Sequence, residues 1–153
     1  MLNKDFSEFV SLLNAHGVEY LVVGGYALAA HGHPRFTGDL DIWLEMSEMN
    51  AGRTLAALHE FGFGSLNIAV ADLLKADTVV QLGYPPGRID LLTSIDGVSF
   101  ANCAGRREIV QINSLAVPFI GLDDFKINKR ASGRLKDLAD LESLEDKSGD
   151  GES

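Results

Sequence analysis

Two aspartates, Asp39 and Asp41, stand as alternate residues in a run that is otherwise apolar through Leu44. Side chains alternate between the two faces of a β-strand, so both carboxylates point the same way, with alpha carbons about 6.5 Å apart. A chance pair is the alternative in a chain with 22 acidic residues, but such acids usually lie in turns or on solvated helix faces. Like charges this close are unfavourable without a counterion, so the pair predicts a cation site.

A third carboxylate, Asp90, is predicted to join the pair. It lies in a β-type run over 88–95 and faces Asp39 and Asp41 if the two strands are neighbours. Converging carboxylates raise each other's pKa values unless divalent cations neutralise them, and hard oxygen ligands select Mg²⁺ or Mn²⁺. Two such cations about 3.5 to 4 Å apart support an in-line phosphoryl displacement. The acids therefore predict phosphoryl transfer, with metal-dependent phosphodiester hydrolysis as an alternative.

A glycine pair, Gly24 and Gly25, follows the apolar run that precedes the acidic strand. Without side chains the backbone approaches a polyphosphate closely, and a helix predicted from about Tyr26 directs N–H donors at the anion. An ordinary turn is the alternative. A dinucleotide fingerprint and a Walker loop do not fit, because the third glycine and the Gly-Lys-Ser/Thr sequence are absent. The pair is predicted to hold phosphate.

Hydrophobic spacing predicts mixed helices and strands around these residues. Helices are predicted over 5–15, 26–31, 47–61, 122–131 and 135–144, with a short helix or irregular segment over 68–76. β-type runs are predicted over 19–23, 38–45, 78–82, 88–95, 108–112 and 116–120, with a hairpin connection over 83–87. The fold class is therefore α/β.

Length and composition bound the kind of protein. A chain of 153 residues with 46% apolar content predicts one domain over 1–144, followed by a polar, aperiodic tail over 145–153 that is expected to be disordered. No run of eighteen apolar residues occurs and the start of the chain is acidic, so we expect no membrane segment and a cytoplasmic protein. The single cysteine, Cys103, excludes disulfide and Cys-based zinc sites within the chain.

Charge is unevenly distributed along the chain. A net charge of −9 argues against extensive nucleic-acid binding, yet seven of the 13 Lys and Arg residues lie within 106–136. A local basic face is therefore predicted in the C-terminal part.

The order of these motifs resembles the polymerase-β-type nucleotidyltransferase superfamily. An apolar strand, Gly-Gly, 13 intervening residues and Asp39-Leu40-Asp41-Ile42, with a later Asp90 on a strand, carry the resemblance. The segments Arg35-Phe36-Thr37-Gly38-Asp39-Leu40-Asp41 and 126–141 are more closely similar to the AbiEii and MenT-like nucleotidyltransferases, many of them toxin-antitoxin components. The resemblance implies a minimal nucleotidyltransferase fold, a mixed twisted sheet of about five strands flanked by helices, with a short C-terminal helical region.

The resemblance also implies roles for individual residues. Gly24 and Gly25 would hold the nucleoside triphosphate, Asp39 and Asp41 would bind both metal ions, and Asp90 would complete the cluster and help activate an acceptor hydroxyl. Further contacts to the triphosphate or the acceptor are expected from Arg35 and Thr37, and to the phosphate tail from Lys126, the first choice, and Lys129. The default for Lys129, Arg130, Arg134 and Lys136 is a solvated helix face, on which Lys136 and Asp140 are able to form an ordinary i, i+4 pair.

The expected function is transfer of a nucleoside monophosphate from an NTP to an acceptor hydroxyl with release of pyrophosphate. The acceptor is open between RNA such as tRNA, protein and a small molecule. The alternative is a catalytically quiet domain that binds a cognate toxin or antitoxin. The small size of the chain motivates this alternative, because polymerase-type enzymes commonly carry an added domain for the acceptor.

Overall fold

The computed structural model describes residues 2–32 and 38–152, with side chains described as far as residue 144. The predictions for Arg35 and Thr37 therefore lie outside the described residues. Within these ranges the α-helices are α1 (Lys4–Ala15), α2 (Gly24–Ala30), α3 (Glu48–Leu58), α4 (Phe100–Gly105), α5 (Leu122–Ser132) and α6 (Leu135–Glu152), and a π-helical turn over His59–Phe63 follows α3. Six strands are β1 (Tyr20–Val23), β2 (Leu40–Leu44), β3 (Val79–Leu82), β4 (Ile89–Leu92), β5 (Glu108–Ile112) and β6 (Leu115–Phe119).

The strands form one sheet in the order β3-β4-β2-β1-β6-β5. The pairs β1–β2, β3–β4 and β5–β6 are antiparallel, whereas β2–β4 and β1–β6 are parallel. The predicted mixed α/β architecture is confirmed, with six strands in place of about five. The parallel pair β2–β4 brings together two strands that are far apart in sequence, and these are the strands that carry the acidic residues.

Several boundaries differ from the predictions. Helix α2 begins at Gly24 and not at Tyr26, because Gly24 has a positive φ of 68° and lets the chain turn directly out of β1. A short helix, α4, was not predicted, and the segment 68–76 contains a 3₁₀ helix over Val70–Leu74. Helix α6 continues past 144 to Glu152, and the disorder of 145–153 stays a prediction. None of the described helices is both long and apolar enough to cross a membrane.

The core lies between the helices and the central strands. Helix α1 turns one face inward at the spacing expected of an amphipathic helix, and Asn3 caps it by accepting a hydrogen bond from the Phe6 N–H at 2.8 Å. The inward residues of α1 are Phe6, Phe9, Val10 and Leu13, all fully buried. Apolar burial of this extent is the main stabilising term of the fold.

Asn50, on α3, is a buried polar residue that joins the two strands framing the glycine pair. Its amide Nδ2 donates to the carbonyl oxygens of Glu19 and Glu45, both at 2.9 Å, and its Oδ1 accepts from the Glu19 N–H at 2.7 Å. Glu19 precedes β1 and Glu45 follows β2, so one amide satisfies main-chain groups at the adjoining ends of both strands.

We expect Asn50→Ala to lower the free energy of unfolding by about 2 kcal/mol, because the partly buried Glu19 N–H and Glu45 carbonyl would lose the hydrogen bonds that Asn50 makes to them, while the Glu19 carbonyl would keep the Glu45 N–H. Urea denaturation followed by circular dichroism measures the difference. Asn67→Ala, which truncates an exposed asparagine, is the matched control and should change little. Equal stability of the two variants would contradict the role assigned to Asn50.

Candidate active site

The acidic residues meet at the junction of β2 and β4. The parallel register pairs Asp41 of β2 with Asp90 of β4, so both side chains project from the same face at the same level. Asp39 lies just before β2, and its Oδ1 accepts a hydrogen bond from the Arg88 N–H at 3.1 Å. The condition that the two strands be neighbours is thus met. The roles of the three acids stay predictions.

Arg88 binds the acidic cluster directly. Its Nε donates to Asp90 Oδ1 at 2.7 Å and its terminal nitrogen donates to Asp90 Oδ2 at 3.1 Å. The same terminal nitrogen lies 3.5 Å from Asp39 Oδ2. One guanidinium therefore bridges two of the three carboxylates, with fork geometry toward Asp90.

The pKa of Asp41 is clearly shifted by its surroundings. Burial, followed by the charge of Asp90, raises the pKa of Asp41 to about 6, while the nearby Lys136 and Lys129 act in the opposite direction. The carboxyl group therefore experiences both its acidic neighbours and a basic wall across from them. An acid held in this way is suited to a divalent cation, which removes the repulsion.

Gly24 makes room for the Asp41 carboxylate. A Cβ atom at this position would lie 2.2 Å from Asp41 Oδ2 and 3.1 Å from its Cγ. The positive φ of Gly24 independently disfavours any side chain there. Position 24 therefore requires glycine because the Asp41 carboxylate packs closely against it, which the sequence did not indicate.

The acids and the glycines line one cleft formed by two adjoining cavities. The first, about 380 Å³, has Gly24, Gly25 and Asp41 in its wall. The second, about 530 Å³, has Asp39, Asp41, Arg88 and Asp90 in its wall. Residues lining both cavities are Gly25, Asp41, Val79, Leu92, Arg134 and Lys136. The volumes of the two cavities are in the range of small-molecule sites.

The basic wall of this cleft comes from the last two helices. Arg134 and Lys136 line both cavities, and Lys129 lines the first. Lys126, the first choice from the sequence, is not among the residues lining either cavity. The contacts of Lys126 and Lys129 with nucleotide stay predictions, but the geometry favours Lys129 over Lys126.

A buried carboxylate, Asp137, organises this wall. It accepts hydrogen bonds from Lys129 Nζ at 3.0 Å, from Arg134 Nε at 2.7 Å and from the Ser132 hydroxyl. Although burial alone would raise the pKa of Asp137, these donors hold it well below its usual range. Lys129 also lies 3.6 Å from Asp140. For Lys136, by contrast, no hydrogen bond or ion pair is found among the described residues, which leaves its charge available to a ligand.

Sequence reasoning missed Arg88, Arg134 and Lys136 as residues of the cleft. For Arg88 a signal existed, because it stands two residues before Asp90 and therefore on the same strand face. The default expectation for Lys136 was a solvated helix face, where it could pair with Asp140, whereas in the structure Lys136 lines both cavities and Asp140 lies against Lys129. Only the packing of α6 against α5 determines that Lys136 faces the acids.

The donor set is suited to a hard divalent cation, since it consists of carboxylate oxygens. As the side chains stand, however, the described residues contain no group of three or more His, Cys, Asp and Glu that would hold a metal ion. At Asp39 and Asp90 the carboxylate oxygens are already in contact with the Arg88 guanidinium, which lies between the two side chains.

We expect Asp41→Asn, in metal-free buffer, to raise the free energy of unfolding at about pH 7 by on the order of 1 kcal/mol. The pKa of about 6 in the folded state lies above the ordinary value of 3.8, so the folded state holds the proton more tightly. The resulting stabilisation is fully present below about pH 4 and is lost as the pH rises through 6.

Urea denaturation of wild type and variant at several pH values measures this difference, with Glu8→Gln on the exposed side of α1 as the control. The advantage of Asp41→Asn should disappear in acid. A variant less stable than wild type at pH 7, or an advantage independent of pH, would contradict the assignment.

Comparison with known proteins supports the fold. No family model and no curated protein matches the sequence. Among solved structures, a proposed nucleotidyltransferase of Thermotoga maritima superposes with a TM-score of 0.58 at 15% identity, covering 95% of this chain and 91% of its own. An antigenic nucleotidyltransferase-like protein of Paracoccidioides brasiliensis gives 0.51 at 19% identity, covering 92% and 74%. At such identities the likeness concerns the fold alone, and the chain has the nucleotidyltransferase fold.

Proposed function

We propose that this protein is a metal-dependent nucleotidyltransferase that moves a nucleoside monophosphate from an NTP to an acceptor hydroxyl and releases pyrophosphate. The observation that carries the proposal is the in-register pairing of Asp41 and Asp90 in a cleft whose other wall is basic. Acids on one side and cations on the other match a metal-bound polyphosphate, which presents both kinds of charge.

The basic wall would bind the phosphate tail. Lys136 and Arg134 line both cavities, and the lysine makes no hydrogen bond or ion pair with a described side chain. Gly24 and Gly25 lie in the same wall as Asp41, where a backbone without side chains permits close approach of a phosphate. Lys129 is held by Asp137 and would contribute mainly a fixed positive charge.

The acids would hold Mg²⁺ or Mn²⁺. Asp39, Asp41 and Asp90 offer the oxygen ligands that these ions prefer, and such an ion, when bound, would neutralise charge that develops on the reacting phosphate. Asp90 would also accept a proton from an acceptor hydroxyl, once Arg88 no longer occupies both of its oxygens.

A second candidate is a catalytically quiet domain of toxin-antitoxin type that binds a partner protein. The contact of Arg88 with both Asp39 and Asp90 favours it, because a guanidinium held there neutralises the cluster without a metal ion. Incubation with α-labelled NTPs and bulk tRNA or cell lysate separates the two. Label transferred to a macromolecule, and lost in Asp41→Ala, would exclude the quiet domain.

Isothermal titration with ATP, GTP, CTP and UTP, each with Mg²⁺, tests the proposal. We expect at least one to bind wild type, and binding to be lost in the Asp39→Ala/Asp41→Ala double variant, because the metal-bound triphosphate would lose two ligands. Glu8→Gln serves as the folded control. No binding of any of the four would overturn the proposal.

A comparison of two lysine variants tests the orientation of the phosphate tail. We expect Lys136→Ala to weaken NTP binding about tenfold, the loss of one charge-assisted contact to phosphate, and Lys126→Ala to leave it nearly unchanged. The same titrations measure both. The opposite order of effects would show that the tail runs along α5 and not along the start of α6.

A further inference from the structure

We propose that Arg88 is the resting counterion of the acidic cluster and that a divalent cation binds by displacing it, so that Arg88 sets the cation affinity of the site. The inference rests on the proposed function, since it concerns how the same acids are loaded. It adds a residue and a competition that the nucleotidyltransferase fold does not itself imply.

The contacts of Arg88 use the donor atoms that a metal ion would need. Both carboxylate oxygens of Asp90 accept from its guanidinium, at 2.7 and 3.1 Å. Its terminal nitrogen reaches Asp39 Oδ2 at 3.5 Å, while its main-chain N–H binds Asp39 Oδ1 at 3.1 Å. A cation that ligates Asp39 and Asp90 together must take the place of the guanidinium.

Charge makes the competition mutual. A guanidinium is always positive and repels a dication a few ångströms away, so the two are not both stable against the same carboxylates. Without either of them, the charge repulsion between Asp41 and Asp90, which the in-register pairing of β2 and β4 holds close together, would be greater. Arg88 therefore supplies, from within the chain, a positive partner at the carboxylate oxygens that a cation would otherwise bind.

The surroundings permit the exchange. The Arg88 side chain is 25% exposed and lines the cavity of about 530 Å³ that also holds Arg134 and Lys136 in its wall. A guanidinium released from Asp90 can swing into this space without breaking the sheet, because the strand pairing of β4 depends on main-chain groups. There it joins the basic wall, where a planar fork suits a phosphate oxygen pair.

Titration of the nucleotide-free full chain with Mn²⁺, followed by electron paramagnetic resonance of the free ion, tests the competition. We expect Arg88→Ala and Arg88→Gln to bind Mn²⁺ about tenfold more tightly than wild type, equivalent to about 1.4 kcal/mol. Arg107→Ala, which removes the same charge beside β5 at the opposite edge of the sheet, should match wild type.

Thermal unfolding gives a second readout that a purely structural ion pair would not produce. In EDTA the Arg88 variants should melt below wild type, because the acids lose their counterion. Added Mn²⁺ should raise their melting temperature by more than it raises that of wild type, through tighter binding to the folded state. If the alanine variant does not fold, the same measurements on the glutamine variant, which keeps a polar side chain without the charge, test the inference.

The inference is overturned if the Arg88 variants bind Mn²⁺ no more tightly than wild type, which includes the case in which none of the proteins binds it. Nucleotide titration of the same proteins separates this failure from that of the proposed function. Wild type that binds an NTP, with variants of unchanged Mn²⁺ affinity, rejects the counterion exchange alone. Absence of both kinds of binding rejects both.

Discussion

Repulsion among three carboxylates is the constraint around which the rest of the molecule is arranged. The parallel pairing of β2 with β4 sets Asp41 against Asp90, and the chain entering β2 adds Asp39. Main-chain hydrogen bonds hold this register, so the acids cannot relax by moving apart. Positive charge must therefore offset the repulsion, and in this structure positive side chains reach the acids from two parts of the chain.

The first source of charge is local and the second is distant in sequence. Arg88 immediately precedes β4, the strand of Asp90, and binds Asp90 in a fork. Lys129 and Lys136 come from the C-terminal helices and act on Asp41 across the cleft. Asp137 fixes the geometry of that wall by binding Lys129 and Arg134 while fully buried. The acidic and basic walls are thus built separately and meet only in the folded chain.

The cleft is a costly part of the fold, and other regions offset its cost. The raised pKa of Asp41 shows that its charged form is destabilised where it lies, and the positive φ of Gly24 restricts that position to glycine. Stabilisation comes from the apolar core and from Asn50, which satisfies main-chain groups at the ends of β1 and β2. Strands β1 and β2 are therefore also held together at the ends that lie away from Gly24 and Asp41.

The sequence by itself determined the α/β class, nearly all the strands, the glycine turn and the shared face of Asp39 and Asp41, because these depend on local periodicity and on backbone chemistry. It also indicated that Asp90 would join them if the strands were adjacent. Strand adjacency itself was decided only by the tertiary structure, since the register of β2 with β4 is a pairing across 49 residues.

The basic wall likewise lay beyond the reach of the sequence. Which lysine faces the cleft depends on the rotation of α6 against α5, and periodicity cannot choose among exposed cations that are all compatible with a solvated face. Tertiary packing brought Lys136 to the cleft, left Lys126 away from its lining, and buried Lys129 against two aspartates. The sequence thus determined which groups the site contains on its acidic side, and long-range packing decided which cations oppose them.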